Sequence, residues 1–403
     1  MATKTATTAK KRHHREEERR DDFDYRNKKD PDSDDTMPWF GWLGLAIMIL
    51  AEIALWIRNP LQGFVATAFT PIMWSGYILV VDGWIWQRGY YSYFKNAKRE
   101  WPMLLLFSVL IWVMFEVFNF PAHAWIYNNM PKGLLVKNVV FAWAYATIIP
   151  ALLRTRSLFA TFDFFDRSHP WHLKFKPVTR AILFIIGLGL TFIPPMFNAC
   201  TAQNPWCTAN LLVPLVWLGF IFMIEPINYR IGAPSVLRDL EAPKEREVVK
   251  TDLSDVEKRG MLELEKPTKP NPARGSTRDH KVQQKSDNNQ DQDKGRISFF
   301  WQILAAGLFC GLLWETWNIQ SFYHSGLTWD YWLNPIYHIC VGHSSAVHLP
   351  DPAICAGKID LKIGKMPILG FLGYPPFIWE CFALWELIKW VMHGDKLMKP
   401  QAK

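Results

Sequence analysis

The sequence predicts an all-α polytopic membrane protein, a transmembrane helical bundle of about eight spans built as two parallel four-helix repeats. Half of the residues are apolar, and they cluster in runs that reach the roughly 20 residues a helix needs to cross a bilayer. Loops rich in Lys and Arg alternate with loops poor in them, as is typical of multipass proteins. A motif of aromatic-Glu-x-aromatic-Asn, followed by Trp-x-Tyr in the next loop, occurs twice.

Each apolar run is interpreted as one membrane-spanning helix. Proline occurs inside several runs, for example at Pro194 and Pro375. It predicts kinks at places where neighbouring helices can satisfy the freed carbonyl groups. The eight predicted spans are residues 38–57, 65–86, 101–120, 134–153, 181–197, 211–229, 299–319 and 367–391.

Two polar segments are too poor in apolar side chains to fold alone, which predicts a disordered N-terminal tail and a disordered linker. The remaining segments follow from the spans. The predicted divisions are a cytoplasmic tail at 1–36, a first repeat at 37–180, the first half of the second repeat at 181–237, the linker at 238–296, the second half of the second repeat at 297–394 with a long outer loop at 320–366, and a cytoplasmic tail at 395–403.

The basic residues lie in loops beside the predicted spans. Residues 87–100, 154–180 and 230–297 carry most of them, whereas residues 198–210 contain neither Lys nor Arg. The positive-inside rule then places both termini in the cytoplasm, with an even number of spans, and the expected location is a bacterial inner membrane. The net charge of +8 therefore indicates membrane lipids as partners and does not indicate nucleic acid.

Two constant offsets between similar segments predict an internal duplication. Asp82 and Glu225 match at one offset in the numbering, and their flanking Trp, Gly and Ser residues match at that same offset. Glu116 and Glu315 match at a second, larger offset. The two offsets differ by nearly the length of the predicted linker. Because each unit begins in the cytoplasm, the repeats are parallel and related by an axis along the membrane normal.

The two matching glutamates are the main candidates for chemistry. An ionisable side chain inside an apolar run is costly, so it indicates either function or a specific buried partner. Glu116 and Glu315 are candidate general acids, and interhelical hydrogen bonding is the structural alternative. Their helices and following loops supply the candidate binding residues Asn119, Trp125, Tyr127, Asn318, Trp329 and Tyr331.

Other intramembrane acids are ranked by their surroundings. Glu380 follows a predicted helix break at Gly373–Phe377, which could line a pocket, so it joins the candidate catalytic residues. Asp82 and Glu225 lie near the cytoplasmic ends of spans two and six and are candidate binding residues. Local ion pairs with the basic residues that follow them, Arg88 and Arg230, are the expected structural role.

Four cysteines fall in predicted outer loops, which face an oxidising space in a bacterial inner membrane. Disulfides are expected between Cys340 and Cys355 and between Cys200 and Cys207. The run from His338 through Cys340 to His343 fits no strong zinc pattern, so no metal site is expected.

The second unit resembles the small membrane lycopene cyclases and carotenoid hydratases. Those proteins place an acid in one helix, Trp-x-Tyr in the following loop and a Pro-x-Glu-Glu segment at the next helix. Here the residues are Glu315, then Trp329 and Tyr331, then Pro367 without the paired glutamates, so Glu380 would take their place. The whole chain also resembles uncharacterised bacterial multipass proteins, some labelled mechanosensory, that contain Gly-Phe-Leu-Gly-Tyr-Pro-Pro-Phe, here at 370–377.

Three functions are compatible with these patterns. The first is a non-catalytic membrane subunit that scaffolds a larger complex, which suits the aromatic richness and charged tails. The second is a cofactor-independent acid–base enzyme acting on a lipid or isoprenoid, which the resemblance also implies. The third is a transporter or channel, which suits the parallel repeat. No cofactor is expected beyond a possible bound lipid or isoprenoid.

The charge pattern generates a topology prediction. Truncations fused to alkaline phosphatase and to green fluorescent protein after residues 205 and 270 should report opposite sides of the membrane. Residue 205 should lie outside and residue 270 in the cytoplasm, because only the second follows a basic segment. The same sidedness at both positions would contradict the assignment.

Overall fold

The computed structural model describes residues 35–98, 100–162, 164–165, 173–197, 199–201, 207–241, 298–342, 355 and 358–393. The predicted N-terminal tail before residue 35, the linker beyond residue 241 and the C-terminal tail at 395–403 lie outside these residues.

Helices dominate the described chain. In order they are α1 (Trp39–Trp56), α2 (Gln62–Thr67), α3 (Phe69–Gln87), α4 (Tyr93–Asn96), α5 (Glu100–Ala122), α6 (Leu134–Phe159), α7 (Pro177–Phe192), α8 (Thr208–Ile231), α9 (Val236–Asp239), α10 (Ser298–Tyr323), α11 (Ile368–Phe371) and α12 (Tyr374–His393), with short 3-10 turns at Pro194–Met196 and Pro335–Tyr337.

Seven helical segments in the described chain are long and apolar enough to cross a membrane. The prediction of a helical multipass membrane protein is therefore confirmed. Helix α3, the predicted second span, is 19 residues long but does not belong to this set, because polar side chains such as Asp82 lower its mean hydropathy. It is instead the most enclosed part of the first half, and it packs against α1 and α6.

Three of the shifts between predicted and observed boundaries have a clear local cause. The second span begins at Phe69, because Gln62–Thr67 forms a separate short helix. The last span is divided, and Pro375 and Pro376 lie in the first turn of α12, where a missing backbone N–H removes no helical hydrogen bond. Residues 238–241 belong to the folded part, since α9 reaches Asp239 and a β-bridge joins Leu173 to Glu241.

The helices form two similar groups. Helix α1 packs on α3, and α7 packs on α8; α6 lies against α3 and α5, and α12 lies against α8 and α10. The groups meet where α10 contacts α6 and where α5 contacts α8. The outward faces of α1, α5 and α7 are apolar and exposed, as with Leu50, Val117 and Ile185, which suits contact with lipid chains.

Glycines bring the paired helices close together. A Cβ atom on Gly44 of α1 would lie 2.5 Å from the carbonyl oxygen of Gly76 in α3. A Cβ atom on Gly219 of α8 would lie 2.6 Å from the backbone nitrogen of Thr191 in α7. Such small residues let membrane helices approach backbone to backbone. The offset that relates Asp82 to Glu225 also relates Gly44 to Gly187 and Gly76 to Gly219.

Three short antiparallel ribbons connect the outer ends of the helices, and an all-helical reading of the sequence did not include them. The central ribbon joins β1 (Trp125–Asn128) to β2 (Thr328–Tyr331). Its register places Trp125 opposite Tyr331 and Tyr127 opposite Trp329, so each Trp-x-Tyr motif faces the other in reverse. The other ribbons are β3 (Cys340–Val341) with β4 (Ile359–Asp360), and β5 (Lys362–Ile363) with β6 (Met366–Pro367).

Candidate functional site

A cavity of about 100 Å³ lies where the two groups of helices meet, and side chains of β1 and β2 form part of its wall. No charged residue lines it within the described chain, and aromatic rings cover most of its surface. We call it the central cavity. Its rings include the indoles of Trp74, Trp112, Trp125, Trp217, Trp314 and Trp329 and the phenols of Tyr127, Tyr145, Tyr331 and Tyr374.

The wall is built largely from matched positions of the two halves. Trp74 corresponds to Trp217 at the offset that relates Asp82 to Glu225, and the two Trp-x-Tyr motifs correspond at a larger one. Tyr145 of α6 and Tyr374 of α12 correspond at a larger offset still. The offset grows along the chain because the second half contains the linker and a longer outer loop. Each half therefore contributes a similar set of rings to opposite sides of the cavity.

Ring contacts fix the shape of the central cavity. Trp112 stacks on Trp314 with centroids 5.6 Å apart and planes 30° apart. Trp314 in turn meets the edge of Trp329 at 6.0 Å, and Trp74 meets Trp314 at 5.8 Å. Offset-stacked and edge-to-face pairs at these separations are the favoured arrangements of aromatic rings. The cavity wall is consequently a packed surface of rings.

Glu315 lies directly behind this wall and is almost fully buried. Its Oε1 atom accepts hydrogen bonds from the hydroxyl groups of Tyr331 at 2.7 Å and Tyr374 at 2.9 Å. Its Oε2 atom accepts one from the backbone N–H of Lys365 at 3.0 Å. Both phenols line the cavity, so each stands between the carboxyl group and the enclosed space.

Glu116 occupies the matching position in the first half. Its Oε1 atom accepts hydrogen bonds from the indole Nε1 of Trp112 at 2.8 Å and of Trp125 at 3.1 Å. The hydroxyl of Tyr127 donates to the same oxygen at 2.5 Å. All three of these donors belong to cavity-lining residues. The carboxyl group therefore reaches the cavity only through the rings bonded to it.

The phenols of the two strands remain protonated. Burial, together with the adjacent Tyr145 and Glu116, raises the pKa of Tyr127 well above its ordinary value. Burial and the nearby Glu315 do the same to the pKa of Tyr331. A protonated phenol can donate to its glutamate, and it can pass a proton into the cavity as the glutamate supplies one to the phenol oxygen.

The two asparagines of the repeated motif hold the strands in place. The side-chain amide of Asn119 donates to the backbone oxygen of Trp125 at 2.9 Å, and its oxygen accepts from the Trp125 N–H at 3.2 Å. Asn318 makes the same two bonds to Trp329, at 2.9 Å and 3.1 Å. Both residues therefore position the aromatic side chains of the ribbon.

Asp82 lies near the end of α3 that is far from the cavity. The predicted ion pair between Asp82 and Arg88 is wrong. Its carboxylate pairs with the buried guanidinium of Arg154 at 2.8 Å and accepts a bond from the Ser92 hydroxyl at 2.5 Å. Arg88 instead donates to Thr161, because it lies past the end of α3. The sequence separation of 72 residues hid the true partner.

Glu225 is the counterpart of Asp82, but the partners shown for it are neutral. The Ser235 hydroxyl donates to its Oε2 at 2.5 Å, and the Trp379 indole donates to its Oε1 at 2.6 Å. Ser92 and Ser235 both follow their acid by ten residues. The two carboxyl groups therefore have similar surroundings, except that Asp82 is paired with the Arg154 guanidinium.

Glu380 does not join Glu116 and Glu315 at the central cavity. It lies one helical turn after Phe377, a lining residue of α12, and its side chain is fully buried. Neither of its carboxyl oxygens has a hydrogen-bond partner among the described residues. The three candidate acids therefore separate into two at the cavity and one in the apolar interior.

The cysteines of the outer loops are joined in pairs. One disulfide links Cys200 to Cys207, and another links Cys340 to Cys355. The backbone N–H of Cys200 donates to the oxygen of Pro121 at 2.9 Å, which ties this loop to the end of α5. The described residues contain no group of three or more side chains suited to hold a metal ion, and His343 lies outside them.

Sequence reasoning missed Tyr145 and Tyr374, although a signal for them existed. Their spacing fits the repeat once the longer outer loop of the second half is counted. Extending the repeat from the Trp-x-Tyr motifs into the next span would have aligned them. Comparison of this chain with protein-family models, with curated proteins and with solved structures finds no match.

The geometry predicts different effects for two substitutions at Glu315. Glu315→Ala should lower the free energy of unfolding by about 1–3 kcal/mol, because it leaves the donors from Tyr331, Tyr374 and Lys365 without an acceptor. Glu315→Gln keeps an acceptor oxygen and should cost less. Thermal unfolding in detergent measures the difference.

The matched control is Asp35→Ala, which removes an exposed acid that precedes α1 and should change the midpoint little. Equal midpoints for wild type, Glu315→Ala and Glu315→Gln would show that the donors around Glu315 contribute nothing to stability.

Proposed function

We propose that the protein binds a short stretch of a lipid or isoprenoid chain in the central cavity and acts on it by acid–base chemistry without a cofactor. We further propose that it resides in a bacterial inner membrane with both termini in the cytoplasm, as the basic loops favour. The observation that carries the proposal is an uncharged aromatic cavity with a glutamate–tyrosine pair on each side.

The size of the cavity limits what it can hold. An engineered cavity of about 150 Å³ in another protein accepts benzene, so a space of about 100 Å³ accepts only a few carbon atoms. A whole polyene would not fit. The proposal is therefore that the end of an apolar chain enters and that the remainder extends outside the cavity.

On each side of the cavity the proposed order is glutamate, tyrosine hydroxyl and ligand, and this order determines the chemistry. A proton passes from a glutamic acid to the phenol oxygen of its tyrosine as the phenol proton adds to one carbon of a double bond. The other carbon becomes a cation, which the faces of the surrounding rings stabilise. The carboxylate on the opposite side, acting through its own tyrosine, accepts a proton from a neighbouring carbon and restores a double bond. Protons and charge balance within one turnover, which leaves the first glutamate as a carboxylate and the second as an acid, so the next turnover starts from the opposite side.

A duplicated ancestor is part of the proposal. It is supported by the paired glycines of the helix contacts, by the reversed register of the central ribbon and by the matched bonds of Asn119 and Asn318. Two similar halves give the cavity two similar acid groups, one on each side. This is the arrangement that proton addition and proton removal both require.

The resemblance to membrane lycopene cyclases favours the same class of substrate. The scaffold and transporter interpretations stay predictions, and no contact in the described chain favours either of them. An absence of ligand binding in the test below would restore the scaffold as the leading interpretation.

Filling the cavity tests binding. Purified protein incubated with farnesene, an isoprenoid hydrocarbon, should retain it through gel filtration, as measured by gas chromatography. Ala144→Phe should abolish retention, because Ala144 lines the cavity. Ala142→Phe is the matched control on the same helix, since Ala142 is exposed on the outer surface and its retention should equal that of wild type. Equal retention by all three proteins would place the ligand in the detergent and contradict the proposal.

Deuterium exchange tests the chemistry. In heavy water, wild-type protein should introduce deuterium at the double bonds of farnesene, because each protonation and deprotonation exchanges one hydrogen. Glu315→Gln and Glu116→Gln should each reduce the rate at least 10-fold. This threshold is conservative, because one acid–base group typically contributes about 100-fold or more. Mass spectrometry measures the label. Unchanged exchange in both variants, with folding intact, rules out the two glutamates as the acids.

A further inference from the structure

We propose that the ligand of the central cavity carries one uncharged oxygen, a hydroxyl or a carbonyl group, which binds Thr70 and Trp74 of α3. This inference rests on the proposed function and names the chemical class of its substrate more closely. It is carried by two buried polar atoms, on residues that line the cavity, that have no partner within the described part of the fold.

Thr70 and Trp74 lie one turn apart on α3, and both line the central cavity. Trp74 is 1 % exposed and Thr70 is 9 % exposed. Neither the Oγ1 of Thr70 nor the Nε1 of Trp74 has a hydrogen-bond partner in the part of the chain that the structure describes. Buried polar groups are nearly always bonded, so each exception calls for an explanation.

Neither atom makes a hydrogen bond within the described fold. Leaving a buried donor unsatisfied costs about 1–3 kcal/mol, and Val in place of Thr70 or Phe in place of Trp74 would carry no such donor. Several other polar atoms of the wall are already engaged, since the Thr67 hydroxyl donates to the Gly63 oxygen and the Tyr127 and Tyr331 phenols donate to glutamates. A ligand that supplies an acceptor explains why a hydroxyl and an indole N–H stand here.

The hydrogen-bonding properties of Thr70 and Trp74 determine which group of the ligand they can bind. An indole N–H only donates, so the ligand atom beside Trp74 must accept. A hydroxyl or carbonyl oxygen has lone pairs for both Trp74 and Thr70. No basic side chain lines the cavity in the described chain, so nothing would neutralise a phosphate or carboxylate. The positions are also near the N-terminus of α3, whose dipole favours an electron-rich atom over an ammonium group.

The second half of the protein shows that the pair is specific to one side. Val213 stands at the position that corresponds to Thr70, while Trp217 matches Trp74. The cavity is therefore polar at its α3 side and lacks the hydroxyl at the matching α8 position. A ligand with one oxygen at its end would bind in a single orientation, with that oxygen toward Thr70.

Two probes that differ only in this group test the inference. Farnesol carries a terminal hydroxyl, and farnesene has the same carbon count without it. Wild-type protein should bind farnesol more tightly, and Thr70→Val should weaken farnesol binding about 2- to 10-fold while leaving farnesene binding unchanged, as the loss of one neutral hydrogen bond implies. Competition for a fixed amount of bound farnesene, followed by gas chromatography, measures both affinities.

The design separates folding from binding. Thr70→Val removes a hydroxyl without a partner in the described fold, so the midpoint of thermal unfolding should not fall. Thr191→Val is the matched control, because the Thr191 hydroxyl is also buried and unpartnered among the described residues but does not line the cavity. That control should bind farnesol as wild type does. Trp74→Phe provides a second variant; because it also removes ring surface from the wall, its readout is the ratio of farnesol to farnesene affinity, which should fall.

Each outcome decides one question. If neither probe is retained in a way that Ala144→Phe removes, the proposed function fails. If both probes bind equally to wild type, or if Thr70→Val and Trp74→Phe bind farnesol as tightly as wild type, the proposed function stands and the oxygen site is overturned. A loss of both probes to the same degree in Thr70→Val would likewise refute an oxygen-specific contact.

Discussion

The structure depends on one constraint, which is that a carboxyl group inside an apolar bundle needs hydrogen-bond donors. Glu116 and Glu315 take theirs from the aromatic residues of β1, β2 and the neighbouring helices. The strands must therefore lie over the ends of α5 and α10, where Asn119 and Asn318 fix their backbones. The ribbon, the ring packing and the central cavity all follow from the placement of these two acids.

Sequence patterns predicted the positions of the helices and of the motifs that occur twice. The apolar runs predicted the helices to within a few residues, and the spacing of Glu, Asn, Trp and Tyr identified residues that the structure brings together. The Asn roles were not predicted, because a hydrogen bond to backbone leaves no trace in residue type. Arg154 was missed for a different reason, since a buried ion pair across 72 residues depends on which face of α6 meets α3.

The two halves of the chain differ at matched positions. The first half keeps a buried cation, Arg154, beside Asp82, whereas Ala383 stands at the corresponding position of α12, by the offset that relates Tyr145 to Tyr374. A buried carboxyl group that has no cation beside it needs neutral donors, and Glu225 has them in Ser235 and Trp379. Thr70 and Val213 also differ, since only Thr70 carries a hydroxyl group. The fold is nearly symmetric and its chemistry is not.

The central ribbon has a consequence for the history of the chain. Each half contributes one strand, and the reversed register means that each strand completes the wall for the other half. Under the proposed duplication, a single ancestral unit would have exposed an unpaired strand edge, and such edges recruit another chain. Its cavity would have closed only by association of two identical copies around a two-fold axis. Under the same proposal, gene fusion would have made a permanent pair of what had been a concentration-dependent dimer, and each copy would then have been free to change alone.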